Sequence, residues 1–202
     1  KILKWGGILL LVALIWGTTF AVMKDLLSEQ TAEDFLFWRF LLAGIFLALL
    51  AGQKWLQMAR KHFWQGLLLG LLLYGGYMAQ VWGLKYTTAS QAGFITGLAV
   101  VFVPLISILA GLEKANILKV SGVFLAVWGL YLLTYTGSFS MDRGELLVLI
   151  CAVFFALYIV LLGRFAPGAE PLPFVAVQML VVAILMPITL ALQRTSMPWQ
   201  DF

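Results

Sequence analysis

Residues 63–84 read FWQGLLLGLLLYGGYMAQVWGL, an apolar run without a single charged side chain. A hydrocarbon layer about 30 Å thick needs roughly 20 such residues to be crossed by one helix, and this run supplies them. Six further runs have a similar length and character: Trp5–Met23, Phe35–Ala51, Gly93–Gly111, Ile117–Thr136, Gly144–Gly163 and Phe174–Leu192. Together they dominate a chain of 202 residues that is 63% hydrophobic and 11% charged, with a mean hydropathy of +1.01. A water-soluble domain carries about 25% charged residues, so this chain could not cover its own core with polar surface. Lipid covers it instead. Amides at membrane depth must be satisfied within their own segment, so the runs are expected to be helices. The expectation is an all-α membrane protein, a polytopic bundle of seven transmembrane helices.

The remaining composition excludes several classes. One cysteine, Cys151, cannot build a disulfide framework or a cysteine-pair zinc site. One histidine, His62, cannot build a His-pair metal motif; it reads as a solvated loop residue. The net charge of +4 comes from basic residues dispersed between apolar runs, which suits membrane topology and not nucleic acid. The N-terminus and the even-numbered connections, with their helix ends, carry Lys1, Lys4, Lys54, Arg60, Lys61, Lys114, Lys119 and Arg164. The opposite side carries Lys24, Lys85, Arg143 and Arg194. The positive-inside rule then puts the N-terminus in the cytoplasm and the C-terminus of this chain outside, in the inner (plasma) membrane.

An internal repeat is legible at an offset of 138, where Gly6–Phe20 matches Gly144–Tyr158. Phe20 falls on Tyr158 and, with one inserted residue, Phe35 falls on Phe174 and Arg39 on Gln178. Five spans separate the copies, so the second enters the membrane from the other side. Inverted repeats of this kind are associated with alternating access. The division expected is a first repeat of five spans over 1–136 and the opening two spans of a second over 144–202.

The chain resembles the EamA-type members of the drug/metabolite transporter superfamily. The likeness rests on Trp16-Gly17-Thr18-Thr19-Phe20, on Trp38-Arg39-Phe40, and above all on the stretch from Gly83 through Gly97 followed by Val103-Pro104-Leu105. Glu113 and the glycine-bearing fifth span also fit. The resemblance implies ten helices in two inverted five-helix repeats around a central cavity, and efflux of a small metabolite or drug-like solute. Measured against that pattern, the chain reads as C-terminally truncated.

A solute carrier needs a polar lining and helices that can slide, not covalent chemistry. The cavity candidates are Trp16, Arg39, Tyr77, Gln80, Thr88, Gln91, Thr96, Tyr158 and Gln178. Arg39 either lines the cavity or snorkels to the outer headgroups. Small-residue pairs Gly66/Gly70 and Gly93/Gly97 allow close helix approach, as sliding or as static packing, and Pro104 is expected to kink the fourth span. Trp38 and Trp82 read as interfacial belt residues. No catalytic residue, metal or cofactor is expected. The partners expected are the bilayer and a small-molecule solute, with a homodimer open. A retinal receptor would need a lysine in the seventh span, and an intramembrane hydrolase would need a paired base; neither is present in these runs. An inactive or assembly-dependent fragment of a ten-helix transporter is the remaining alternative.

Overall fold

The computed structural model describes residues 2–27, 32–55, 62–114, 116–134 and 142–196, and among them every regular element is a helix. These are α1 (Ile2–Leu27), α2 (Ala32–Ala51), α3 (Phe63–Tyr86), α4 (Ala89–Gly97), α5 (Ala99–Leu109), α6 (Ile117–Thr134), α7 (Arg143–Phe165) and α8 (Pro171–Ser196). Lys1, Glu29, Arg60, Lys61 and Asp201 lie outside the described residues, as does the 135–141 boundary between the expected repeats.

Among the described residues, six spans are long and apolar enough to cross a membrane: α1, α2, α3, α4 with α5, α7 and α8. The fifth expected span, α6, carries a shorter apolar stretch, Ile117–Gly129. At 1.5 Å per residue, α3 with its 24 residues is roughly 36 Å long, ample for the hydrocarbon layer. The apolar side chains that would be costly in water point outward, among them Leu10, Leu14, Leu49, Phe124 and Leu125.

Helix α3 is the centre of the bundle. It packs most extensively on α7 and also on α8, and α8 in turn packs on α2. Glycines make these approaches possible. A Cβ at Gly83 would lie 2.5 Å from Val148 Cγ2 and 2.8 Å from the Gly144 carbonyl oxygen, and one at Gly76 would lie 2.5 Å from Phe155 Cε1. On the other face, a Cβ at Gly70 would meet Val181 Cβ at 2.7 Å. The same contacts fix direction, since Gly83 meets the start of α7 and Gly76 its middle, so α3 and α7 are antiparallel. Lys54 pairs with Glu170, and Gly44 abuts Leu180, so α2 and α8 are antiparallel as well. Lys24 near the end of α1 and Gly144 at the start of α7 both meet the Leu84–Thr87 segment, which sets α1 against α7 in direction.

The fourth span is interrupted at a position the sequence does not predict. Its interruption falls at Leu98, between α4 and α5, six residues before Pro104. Gly97, which a Cβ would not crowd, is the weak point: nothing lies within 4 Å of it, and glycine holds a helix less well than any residue but proline. Pro104 sits inside α5, and Pro187 sits inside α8 without ending it. Helix α5 closes in a Schellman motif at Gly111, φ +69°. There Leu112 N donates to Ser107 O at 2.8 Å and Gly111 N to Ile108 O at 3.0 Å.

Candidate functional site

Polar side chains inside this apolar bundle form three layers. At the Leu84–Thr87 end, Thr88 caps α4: its hydroxyl accepts from Gln91 N at 3.2 Å, and Gln91 Oε1 accepts from Thr88 N at 3.4 Å. The pattern is a capping box, satisfying two amides that the first turn would leave unpaired. Gln91 Nε2 also donates to Glu145 Oε1 at 3.3 Å, and Glu145 Oε2 accepts from Asp142 N at 3.3 Å. Glu145 and Thr87 are buried. Lys24 Nζ donates to Leu84 O and Thr87 O, and Lys85 pairs with the buried Glu33 at 3.2 Å.

The middle layer lies one to two turns deeper on α3. Gln80, buried, donates through Nε2 to Thr96 Oγ1 at 3.4 Å, joining α3 to α4. Tyr77, also buried, stands in a row of rings. Phe40 of α2 meets it edge-on at 4.8 Å, Phe155 of α7 at 5.2 Å, and Trp16 of α1 lies 6.2 Å from Phe155. Arg39 places its guanidinium carbon 5.9 Å from the Phe40 ring centroid. Its Nη1 is buried and has no hydrogen-bond partner, so that nitrogen does not snorkel to water.

In the third layer Tyr158 Oη donates to Gln178 Oε1 at 2.8 Å, joining α7 to α8. Gln178 is fully buried, and its Nε2 has no partner. Outside this layer, eleven residues further along α8, Thr189 shares a hydrogen bond with Tyr74 of α3.

The structure therefore joins Gln80 with Thr96, Thr88 with Gln91, and Tyr158 with Gln178. It sets Arg39, Tyr77 and Trp16 along one aromatic row. Trp16 is itself 46% exposed. Among the packing candidates, Gly66 is buried and Gly70 is tightly packed. Gly93 meets only Phe20 Cδ2, at 3.9 Å, Gly97 meets nothing within 4 Å, and Pro104 is half-buried. Trp38 and Trp82 point outward. His62, expected as a solvated loop residue, is half-buried at the N-cap of α3. Its Nδ1 lies 2.7 Å from Gln65 Oε1, and its ring lies edge-on to Phe174. Among the described residues no group of three His, Cys, Asp or Glu could hold a metal ion.

Several structural contributors were not singled out from the sequence. Glu145 stands three residues after Asp142 at the head of an apolar run, which is a capping-box spacing. Gly76 and Gly83 stand seven residues apart and so share a helix face. Lys24 and Glu33 carry no local signal, because their partners are 60 and 52 residues away in sequence.

A multi-pass helical bundle of apolar spans with a polar interior defines an integral membrane protein. The chain belongs to the EamA-like transporter family, whose pattern matches residues 3–135. An Archaeoglobus fulgidus protein described as an uncharacterized transporter is 39% identical over 164 residues, covering 81% of this chain and 50% of its own length. A second from the same organism is 34% identical over 164 residues, covering 76% and 55%. The uncharacterized transporter YoaV of Bacillus subtilis is 27% identical over 149 residues, covering 70% and 51%. The chain thus spans about half the length of the curated relatives it matches. No solved structure matches it.

Proposed function

We propose that the protein carrying these helices moves a small organic solute across the inner membrane, in the export direction, by alternating access. The observation that carries this reading is the buried polar layering of α3, α7 and α8. Amide and hydroxyl groups deep in hydrocarbon are costly unless they serve a site or a fixed network. Tyr77, Gln80, Thr96, Tyr158 and Gln178 lie on facing helices of one bundle, where a solute path would run. The opposed directions of α1 and α7, and of α2 and α8, support reading 1–136 and 144–202 as inverted copies. The N-terminus is assigned to the cytoplasm on the distribution of lysine and arginine.

Full-length protein reconstituted in liposomes tests this reading. The expected result is protein-dependent uptake of labelled solutes from a chemically mixed panel, altered in Gln80→Leu and in Arg39→Leu while both variants still insert. No flux above empty liposomes for any solute would overturn the transport reading. Unchanged flux in both variants would remove these residues from the path.

A further inference from the structure

Helix α3 meets its neighbours in two unlike ways. Its seam with α7 is closed by backbone approach: a Cβ at Gly76 or Gly83 would lie 2.5 Å from an α7 side chain. Its seam with α2 is closed by an ion pair at one end and a ring contact beneath it. Lys85 Nζ donates to Glu33 Oε1 at 3.2 Å, and the Phe40 and Tyr77 rings meet edge-on at 4.8 Å. Helix α2 itself lies along α8, with Gly44 against Leu180. The turn that presents Lys85 is braced from α1, where Lys24 Nζ donates to Leu84 O and Thr87 O.

The ion pair straddles the edge of the bundle. The Glu33 side chain is 6% exposed and that of Lys85 is 41% exposed. A buried carboxylate is costly without its partner, yet the pair as a whole is close to balance, because attraction is offset by lost hydration. Parting α2 from α3 at this end would return Glu33 to water, so the charge separation is compensated there as it could not be in a sealed core. Near-balance of this kind suits a joint with two arrangements of similar free energy. Leu36, fully buried, stands between Glu33 and Phe40 on the same face of α2 and is the first apolar side chain behind the pair. Behind it come the Phe40 and Tyr77 rings, with the Arg39 guanidinium carbon 5.9 Å from the former. The buried Arg39 Nη1 has no partner with the seam closed.

We propose that the Glu33–Lys85 pair is the latch of an outer gate, and that the gate opens along the seam between α2 and α3. Lys24 is a positioning residue: it holds the turn from which Lys85 reaches Glu33. When the pair separates, water enters behind Glu33 and reaches Leu36 and then the Phe40–Tyr77 contact, while the glycine-packed α3–α7 seam stays shut. Lys54 and Glu170, paired at the other end of α2 with both side chains well exposed, carry no such role. The inference rests on the transport reading above, which supplies the outward orientation of this end, and it names one gate of that path.

The test is accessibility, independent of flux. Full-length protein with Cys151→Ala carries one reporter, either Leu36→Cys in the α2–α3 seam or Val148→Cys in the α3–α7 seam; both native side chains are fully buried. Intact cells are treated with a membrane-impermeant maleimide. Lys85→Gln, which strands the buried carboxylate, should raise the labelling rate at position 36 about ten-fold or more. Glu33→Gln should raise it less, since the lysine left behind is partly in water. Lys85→Arg, which keeps the charge, and Lys54→Gln, at the other end, should leave the rate near that of the parent. An unchanged rate in both Lys85→Gln and Glu33→Gln would overturn the proposal. So would an equal rise at position 148, which is general loosening and not a gate, or an equal rise in Lys85→Arg. A rise seen only in inside-out vesicles would overturn the outer assignment. Solute flux with no latch response would leave the transport reading standing and this one refuted, whereas a latch response without flux of any solute would do the reverse.

Discussion

Lys24 Nζ reaches from the end of α1 to the carbonyl oxygen of Thr87, at 2.8 Å, while holding that of Leu84 at 2.5 Å. Those carbonyls belong to the last turn of α3 and its C-cap, where no later amide of the helix is available to them. The ammonium also sits where the helix dipole favours a cation. It therefore fastens an otherwise outward-facing helix to the centre of the bundle. Lys24→Met is expected to destabilise the protein by about 1.5–3 kcal/mol, the scale of hydrogen bonds to a charged group. Thermal unfolding in detergent checks this, with Lys24→Arg retaining part of the loss.

Gly83→Ala and Gly70→Ala place a methyl at 2.5 Å from Val148 Cγ2 and 2.7 Å from Val181 Cβ. Overpacking of this kind costs about 1–3 kcal/mol. Gly97→Ala meets nothing within 4 Å and is expected to be neutral or stabilising by up to about 1 kcal/mol through helix propensity. Melting temperatures of the three variants should separate into these two groups. Equal effects in all three would refute the packing account.

Tyr158→Phe leaves Gln178 Oε1 buried and unpaired, at a cost of about 1–3 kcal/mol. Removing both polar groups in Tyr158→Phe with Gln178→Leu should cost less than the two single changes summed. A double-mutant cycle reads this as a coupling of about 0.5–3 kcal/mol.

Two lysine–glutamate pairs, at opposite ends of the bundle, should behave differently. Lys54 and Glu170 are both well exposed, and Lys54→Ala should change stability by less than about 1 kcal/mol. Lys85 partners Glu33, whose side chain is only 6% exposed. Lys85→Ala leaves that buried carboxylate unpaired and should cost about 1–3 kcal/mol. Chemical unfolding of the two variants side by side gives the comparison.

Cys151 is a free thiol with no exposed surface. Burial without a cation beside it makes a thiol unreactive. A maleimide probe should leave the folded protein unlabelled and modify it once it is denatured.

The architecture is largely legible in the sequence. Apolar runs of about membrane thickness specify helices because lipid leaves the backbone no other partner. The pairing of Gln80 with Thr96 and of Tyr158 with Gln178 was not legible, since it joins helices through side chains that carry no spacing signal across a loop. The interruption at Leu98 escaped because Pro104 is the louder breaker in sequence, while glycine at the preceding position decided where the helix yields. His62 differs from its expectation for a related reason: beside Arg60 and Lys61 it looks solvated, but Gln65 one turn on and Phe174 of another helix pack against the ring. Gly70 was recognised as a packing residue, yet the sequence could not say that Val181 is what it accommodates.

The placement of α3 between α7 and α8 bears on biogenesis. Gly76 and Gly83 gain their neighbours only when residues 144–155 have been made, some sixty to eighty positions later. Until then a nascent chain carries a bare glycine edge in the bilayer. Insertion intermediates halted before α7 should accordingly be held by membrane chaperones or degraded, while those extended through α8 are retained by the cell.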